Sequence, residues 1–74
     1  MHERIRGLRE DKDLSQKEMA QILQVAQTTY SDYELGKINI PIATLKALAA
    51  FHKTSIDYLL EMTDERKPYP PKRK

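Results

Sequence analysis

Apolar residues recur along the chain at helical spacing, whereas the period-two alternation of half-buried strands is weak throughout. Ile5 and Leu8 form an i, i+3 pair in an opening segment that we expect to end near Lys12. A later segment begins after Pro41, which is tolerated in a first helical turn. Its core-facing positions repeat at i, i+3, i+4 and i+7 in Leu45, Leu48, Ala49 and His52. The pattern predicts an all-α fold.

The second predicted helix begins at a capping box. Ser15 is followed three residues later by Glu18, so the serine hydroxyl can accept a backbone N–H of the first turn while the glutamate accepts the serine N–H. The helix therefore begins at Gln16 and runs to about Leu23. We expect one apolar side, formed by Met19, Ala20, Ile22 and Leu23. Residues 24–26 break the pattern, which leaves a tight turn before the next helix.

The third predicted helix starts at Gln27 and has two unlike sides when its residues are placed about 100° apart. The side expected to face the core holds Tyr30, Tyr33, Glu34 and Ala26. The opposite side is small and mostly polar, with Thr28, Asp32 and Leu35. Gly36 then supplies a left-handed stop. A polar side on a mid-chain helix needs a partner other than the core.

A last short helix completes the predicted fold. Ser55 can cap it, and we expect it to hold Ile56, Leu59 and Leu60 and to end near Met62. Five helices joined by short loops thus account for residues 3–62. The sequence predicts one domain over 1–62, followed by a Pro-rich basic tail over 63–74 that we expect to be disordered.

Composition excludes several classes of function. A chain of 74 residues with 39% hydrophobic content can bury one small core. It has no apolar run long enough for a membrane span, so the cytoplasm is expected. With no cysteine, and with His2 far from His52, neither a metal nor a cofactor is expected. A chain this short also has few residues with which to line a catalytic cleft or a small-molecule substrate site, so we expect that the protein is not an enzyme.

The charge balance restricts how a nucleic acid could be bound. The net charge is +2, and residues 61–74 account for all of it, so residues 1–60 are neutral overall. Nucleic-acid binders usually carry a basic stripe. The balance therefore argues against such a binder, or for one that places a few cations well. The basic tail is either a solvated end or an arm that contacts phosphates.

The stretch LSQKEMAQILQVAQTTYSDYELGK resembles the helix-turn-helix of lambda-repressor-like proteins of the xenobiotic-response-element (XRE) type. IRGLRE upstream and IPIATLKALAAFHKTSIDYLL downstream resemble the first, fourth and fifth helices of that family. The resemblance covers about residues 4–60. It implies a compact five-helix, lambda-repressor-like DNA-binding domain, with helices 2 and 3 as the helix-turn-helix. It also implies sequence-specific binding of double-stranded DNA by a small bacterial or phage transcriptional regulator, with helix 3 in the major groove.

Three base-contacting residues follow from the resemblance, namely Gln27, Thr28 and Asp32. A glutamine can pair with adenine N6 and N7, and a threonine can hydrogen-bond a base or pack its methyl on thymine. Asp32 departs from the basic or amide residue usual at that place. It can accept from the cytosine amino group, repel wrong sequences, or stay solvated. Ordinary surface solvation is the alternative for Gln27 and Thr28 as well.

Five phosphate contacts are also implied, from Gln16, Lys17, Thr29, Ser31 and Lys37. Gln16 stands where family members commonly touch a phosphate and brace the first residue of helix 3. A helix N-terminus independently favours an anion there, and such an anion would offset the unfavourable first-turn Lys17. Plain solvation is the alternative for Lys17, Thr29 and Ser31.

Other positions are expected to affect the fold rather than to contact DNA. Arg9 and Glu34 match family positions that form a buried ion pair, and Tyr30 and Tyr33 read as core residues whose hydroxyls could also reach a phosphate. Gln24 replaces the usual turn glycine. Two further departures are the unusually apolar Leu35 and the lack of a capping hydroxyl at Ala26.

We expect a homodimer on a palindromic operator. The fifth helix has more apolar residues than one face can bury, and these either form a subunit contact or pack against the first helix. An alternative function keeps the fold but weakens DNA reading, as a protein-interaction or antitoxin-like module. The neutral first 60 residues, Asp32 and Leu35 motivate that alternative.

Overall fold

The computed structural model of the chain describes residues 2–65. Within this range the regular structure is helical and no strand occurs, which confirms the predicted all-α class. The five helices, in chain order, are α1 (Glu3–Asp11), α2 (Gln16–Leu23), α3 (Gln27–Leu35), α4 (Ile42–His52) and α5 (Ile56–Leu59). None of the helices in residues 2–65 has the length and apolar character that crossing a membrane requires.

The turn between α2 and α3 is short and has well-defined ends. The capping box at Ser15 is present: its Oγ accepts the Glu18 N–H at 3.0 Å, and its own N–H donates to Glu18 Oε1 at 2.8 Å. At the other end of α2, Gln24 adopts the left-handed conformation with φ 59°. The Val25 N–H then donates to the Ala20 carbonyl at 2.9 Å. Three residues thus reverse the chain into α3.

The last helix is shorter than the sequence predicts. Ser55 caps α5 as expected, because its Oγ accepts the Tyr58 N–H at 3.1 Å. The expected end near Met62 is wrong, since Glu61 takes a left-handed φ of 60° and the Met62 N–H closes back onto the Asp57 carbonyl at 2.8 Å. These two features end the helix at Leu59 and leave Met62 exposed.

The core lies where the five helices meet, and it contains the side chains expected for α1, α4 and most of α3. Its buried hydrophobic members are Ile5, Leu8, Met19, Ala20, Tyr30, Tyr33, Leu45, Leu48, Ala49 and Leu59. Two expectations were wrong. Ile22 is 45% exposed, because at helical spacing it lies about 160° from Ala20 and so leaves the buried strip. Ala26 is exposed because it precedes α3 in extended backbone, where helical spacing does not apply.

Residues at both ends of the described chain are fastened to the helices. The His2 N–H donates to the Glu34 carbonyl at 2.8 Å. Arg4 donates to the Thr63 carbonyl at 2.7 Å, and its guanidinium lies 4.3 Å from the centre of the Tyr58 ring. Residues 66–74, which hold most of the predicted tail, lie outside the described residues.

Candidate nucleic-acid interface

The outer face of α3 carries the residues for which base contacts were predicted. Gln27 and Thr28 are exposed, while Ser31 and Asp32 are half-buried. At about 100° per residue, the four side chains leave the helix within an arc of about 140°. Leu35 leaves within the same arc and is 42% exposed. The fold therefore brings a narrow, mostly polar strip to the surface on the side opposite the core.

Thr29 lies apart from this strip. It leaves α3 about 200° from Gln27 and is half-buried between the outer face and the core. Lys37 is exposed just after the left-handed Gly36, and its backbone N–H donates to the Asp32 carbonyl at 3.0 Å. Thr29 is thus at the edge of the candidate interface, and Lys37 is at its C-terminal end.

The N-terminus of α2 contributes a second part of the candidate interface. Gln16 is the first residue of this helix, and Lys17 follows it with an exposed side chain. Backbone N–H groups of a first helical turn have no intrahelical acceptors, and the turn carries partial positive charge. Ser15 Oγ takes the N–H of Glu18, which leaves the N–H groups of the two preceding residues directed out of the helix end. This end suits a phosphate oxygen.

A buried ion pair lies beneath the interface, as the resemblance implied. Arg9 donates its Nε to Glu34 Oε2 at 2.6 Å and its second terminal nitrogen to Oε1 at 3.2 Å. Arg9 also donates to the Leu14 carbonyl at 2.7 Å. The Glu34 side chain is only 3% exposed. This pair joins α1 to the end of α3.

The charges in this pair shift the affinities of both side chains for protons. Burial alone would raise the pKa of Glu34, but the hydrogen bonds from Arg9 and Gln16, together with the nearby Tyr30 hydroxyl, outweigh it and hold that pKa below its usual range. The hydrogen bond to Glu34 raises the pKa of Arg9. Both groups are charged at neutral pH, so the pair acts as an ionic clamp.

Gln16 has a partner that the sequence did not reveal. Its Nε2 donates to Glu34 Oε1 at 3.1 Å, so the first residue of α2 is tied to the ion pair. The resemblance had suggested that Gln16 would brace Gln27 instead. A contact between an amide and a carboxylate 18 residues apart leaves no periodic signal in a single sequence.

The two tyrosines of α3 belong to the core. Their rings meet edge to face, with centroids 6.5 Å apart. The Tyr30 hydroxyl is buried beside Glu34, and no hydrogen bond of standard geometry from it occurs among the described residues. Burial, reinforced by the Glu34 charge, raises the pKa of Tyr30. The suggestion that the Tyr30 hydroxyl could reach a phosphate was therefore wrong.

Few charges lie on the candidate interface itself. Lys17 and Lys37 are its cations, and Asp32 is an acid within it. Residues 2–65 as a whole carry eight basic and eleven acidic side chains, a net charge of −3. No group of histidine, aspartate and glutamate residues in this range is placed to hold a metal ion. The arrangement can donate hydrogen bonds to a polyanion but cannot attract one strongly over a distance.

Two helices joined by a three-residue turn, the second with an exposed polar face, define a helix-turn-helix domain. A family model described as "Helix-turn-helix" matches residues 5–59, and the chain belongs to that family. This membership confirms the resemblance to XRE-type domains.

Two relatives from Bacillus subtilis (strain 168) are similar to the chain. One, named as the uncharacterized HTH-type transcriptional regulator YobD, is 32% identical over 66 residues, which is 89% of this chain and 59% of the relative. The other, the SPbeta prophage-derived uncharacterized HTH-type transcriptional regulator YonR, is 36% identical over 61 residues, 82% of this chain and 56% of the relative. The chain thus spans less than three fifths of the length of these relatives.

Proposed function

We propose that the chain binds double-stranded DNA sequence-specifically and acts as a transcriptional regulator, with α3 inserted in the major groove. The observation that carries this proposal is the exposed strip of Gln27, Thr28, Ser31 and Asp32 beside the N-terminus of α2. An α-helix fits the major groove, and there small polar side chains can satisfy the donors and acceptors on base edges. The names of the two relatives, both HTH-type transcriptional regulators, support the same function.

The side chains would divide the work by position. Gln27, Thr28 and Asp32 would meet base edges, because they leave α3 on its exposed side. Phosphate contacts would come from Ser31 within this strip and from groups beside it, which are Gln16, Lys17, Thr29 and Lys37. Thr29 would reach only sugar or phosphate, since it lies at the edge of the face.

A second copy of the chain would complete the binding unit. One α3 reads only a few base pairs, and a two-fold dimer on a palindromic operator doubles the contacts. Met62 is 72% exposed, and half-buried Ile56 and Leu60 lie nearby along the chain, so this region offers apolar surface for such a contact. Since the operator lies on DNA, we place this activity in the cytoplasm of a bacterial cell.

The alternative, an interaction or antitoxin-like module without DNA reading, is less well supported. Asp32, Leu35 and the net charge of −3 on residues 2–65 speak for it. The family and both named relatives are of the regulator class, which speaks against it and against an enzyme. Phosphate contacts fix the register of a protein on the duplex and base contacts carry the sequence information, and a polar strip flanked by two lysines offers groups for both.

Selection from a pool of random duplexes tests the proposal. The full chain is incubated with the pool, bound duplexes are amplified, and the cycle is repeated before sequencing. We expect enrichment of one motif with two-fold symmetry. Enrichment of an asymmetric motif would contradict the two-fold dimer but would still support sequence-specific binding. No enrichment in any round would contradict sequence-specific binding itself.

A further inference from the structure

Glu34 holds two partners, one on each neighbouring helix. Arg9 of α1 approaches with two nitrogens, at 2.6 and 3.2 Å, and Gln16 of α2 approaches with Nε2 at 3.1 Å. The carboxylate is almost completely buried, and the Arg9 side chain is only 10% exposed. Because charge-assisted, two-point pairs have defined geometry, the carboxylate is fixed in place beneath the start of α2. It is a rigid support for the Gln16 amide.

The Gln16 amide retains hydrogen-bonding capacity in this position. A carboxamide has two N–H bonds and one carbonyl oxygen in a single plane. Glu34 accepts one of the N–H bonds, and the side chain as a whole is half-buried rather than enclosed. With one hydrogen fixed to the buried carboxylate, rotation of the planar group is restricted. The second N–H therefore keeps a defined direction at the end of α2, where the first-turn backbone N–H groups also lie.

We propose that Glu34 is a positioning residue for DNA binding, which holds the Gln16 amide so that its second N–H is ready to bind a backbone phosphate. This inference rests on the proposed function. A long glutamine side chain loses rotamer freedom when it is ordered. In this arrangement the loss occurs when the domain folds, so it does not weaken DNA binding.

Side-chain amide NMR tests the proposal on the unaltered chain. The sequence contains four glutamines and one asparagine, so only five pairs of side-chain amide protons occur. Exposed Gln21 on α2 and exposed Gln27 on α3 serve as internal controls. Without DNA, we expect the Gln16 amide to be as ordered as the backbone on the picosecond–nanosecond timescale, and both control amides to be mobile.

Addition of the selected duplex distinguishes the possible outcomes. We expect one Gln16 amide proton to shift strongly, as it meets the phosphate, and the other to move little, as it stays on Glu34. A mobile Gln16 amide in the free protein, or large shifts of both protons on binding, would overturn the positioning role while DNA binding stands. Absence of any shift with any duplex would instead overturn the proposed function, and the inference with it.

A double-mutant cycle supplies a second, independent test. Glu34→Gln leaves one acceptor oxygen, which Arg9 would occupy, and turns the amide nitrogen toward Gln16; Gln16→Met keeps the length of the side chain without its hydrogen bonds. We expect Glu34→Gln to weaken DNA binding about five- to tenfold in the parent chain but less than twofold in the Gln16→Met chain. An equal loss in both backgrounds would mean that Glu34 acts on the fold alone.

The cycle is measured under conditions in which circular dichroism shows every variant to be folded, because Glu34→Gln leaves a buried arginine without its counter-ion. Gln21→Met is the matched control for the loss of an exposed amide on the same helix. We expect it to change DNA affinity less than twofold. Should Glu34→Gln not fold, the relaxation and shift measurements on the unaltered chain decide the question.

Discussion

Gln27 is the residue whose role can be tested most simply. It is the first residue of α3, its side chain is exposed, and its removal breaks no hydrogen bond of the fold that the structure records. We predict that Gln27→Ala relaxes the preference at one base pair of each half-site and costs about 1–3 kcal/mol of binding free energy at the preferred base.

The measurement is a set of dissociation constants for duplexes with each of the four base pairs at every operator position. Gln21→Ala, an exposed amide on α2, is the control and should leave the profile unchanged. A uniform loss over all duplexes would show instead that Gln27 contacts phosphate and not a base.

A substitution of Asp32 distinguishes two sources of specificity, which are repulsion of wrong sequences and a hydrogen bond accepted from cytosine. It is half-buried on the outer strip and carries a negative charge that faces a polyanion in the proposed complex. We predict that Asp32→Asn raises affinity for random duplexes more than for the operator and so lowers the ratio of specific to non-specific binding, because an acid that repels wrong base edges is removed. Filter binding on operator and random duplexes at one fixed salt concentration measures both quantities. A loss of affinity confined to one C·G pair would contradict repulsion and show that Asp32 accepts from cytosine.

At the scale of elements, the turn between α2 and α3 stores a small strain. Gln24 has a φ of 59°, which costs a residue with a Cβ about 1 kcal/mol but suits glycine. We predict that Gln24→Gly leaves the fold intact and raises the free energy of unfolding by about 0.5–1 kcal/mol.

Urea unfolding measures this change, and the matched control is Gln21→Gly, three residues earlier inside α2. The control should lower the free energy of unfolding by about 1 kcal/mol, since glycine is unfavourable in a helix interior. If both substitutions destabilise by the same amount, Gln24 does not hold the left-handed conformation in solution.

The ion pair between α1 and α3 makes stability depend on pH in a defined window. The folded pKa of Glu34 lies below the ordinary value of 4.5, so unfolding raises the affinity of this carboxylate for a proton. The resulting stabilisation is fully present above about pH 4.5 and is lost as the pH falls through the folded pKa. We predict that the free energy of unfolding falls in this window, measured by urea titrations between pH 7 and pH 2.5.

The surface pair of Arg6 and Glu10 provides the contrast. Its members are about half exposed at 3.1 Å, and such pairs contribute little. Glu10→Gln should therefore leave the acid transition in place. A Glu34 carboxyl carbon that titrates by NMR at or above pH 4.5 would contradict the account of the pair.

The sequence predicted the elements well where a local rule governs them. The capping box at Ser15, the stop at Gly36 and the cap at Ser55 depend on neighbouring residues, and all three were confirmed. The end of α5 was missed because a left-handed Glu61 has no sequence signature. Ile22 was misassigned because, although it lies only about 60° from the buried Met19, it lies about 160° from the buried Ala20 and so falls outside the core boundary.

The candidate site was predictable to a smaller extent. The resemblance supplied the residues of the outer strip, and the structure places Gln27, Thr28 and Asp32 on one exposed side of α3. Of the contacts that lie beneath this strip, the ion pair of Arg9 with Glu34 was predicted, whereas the hydrogen bond from Gln16 to Glu34 was not. Long-range polar contacts depend on how helices pack, and periodicity along one sequence carries no information about them.

At the scale of the whole molecule, charge and shape have separate roles. Residues 2–65 carry a net charge of −3, so this part of the chain attracts a polyanion only weakly over a distance, and in the proposed function its recognition of DNA would rely on the fit between α3 and the groove. The hydrogen bond from His2 to Glu34 fixes the N-terminal end of the described chain to α3, and the bond from Arg4 to Thr63 fixes the C-terminal end to α1. The domain presents the strip as one preorganised surface.

In the proposed function, the α2 N-terminus and the outer face of α3 together form the DNA-reading surface. Backbone amide NMR of the full chain, titrated with the selected duplex and with a scrambled duplex of equal composition, tests it most directly. We predict that the largest shift changes fall within residues 16–37, centred on Lys17, Gln27, Thr28 and Asp32, and that the scrambled duplex produces smaller ones. Unchanged signals in residues 16–37, or changes confined to α5 and the residues that follow it, would contradict the claim.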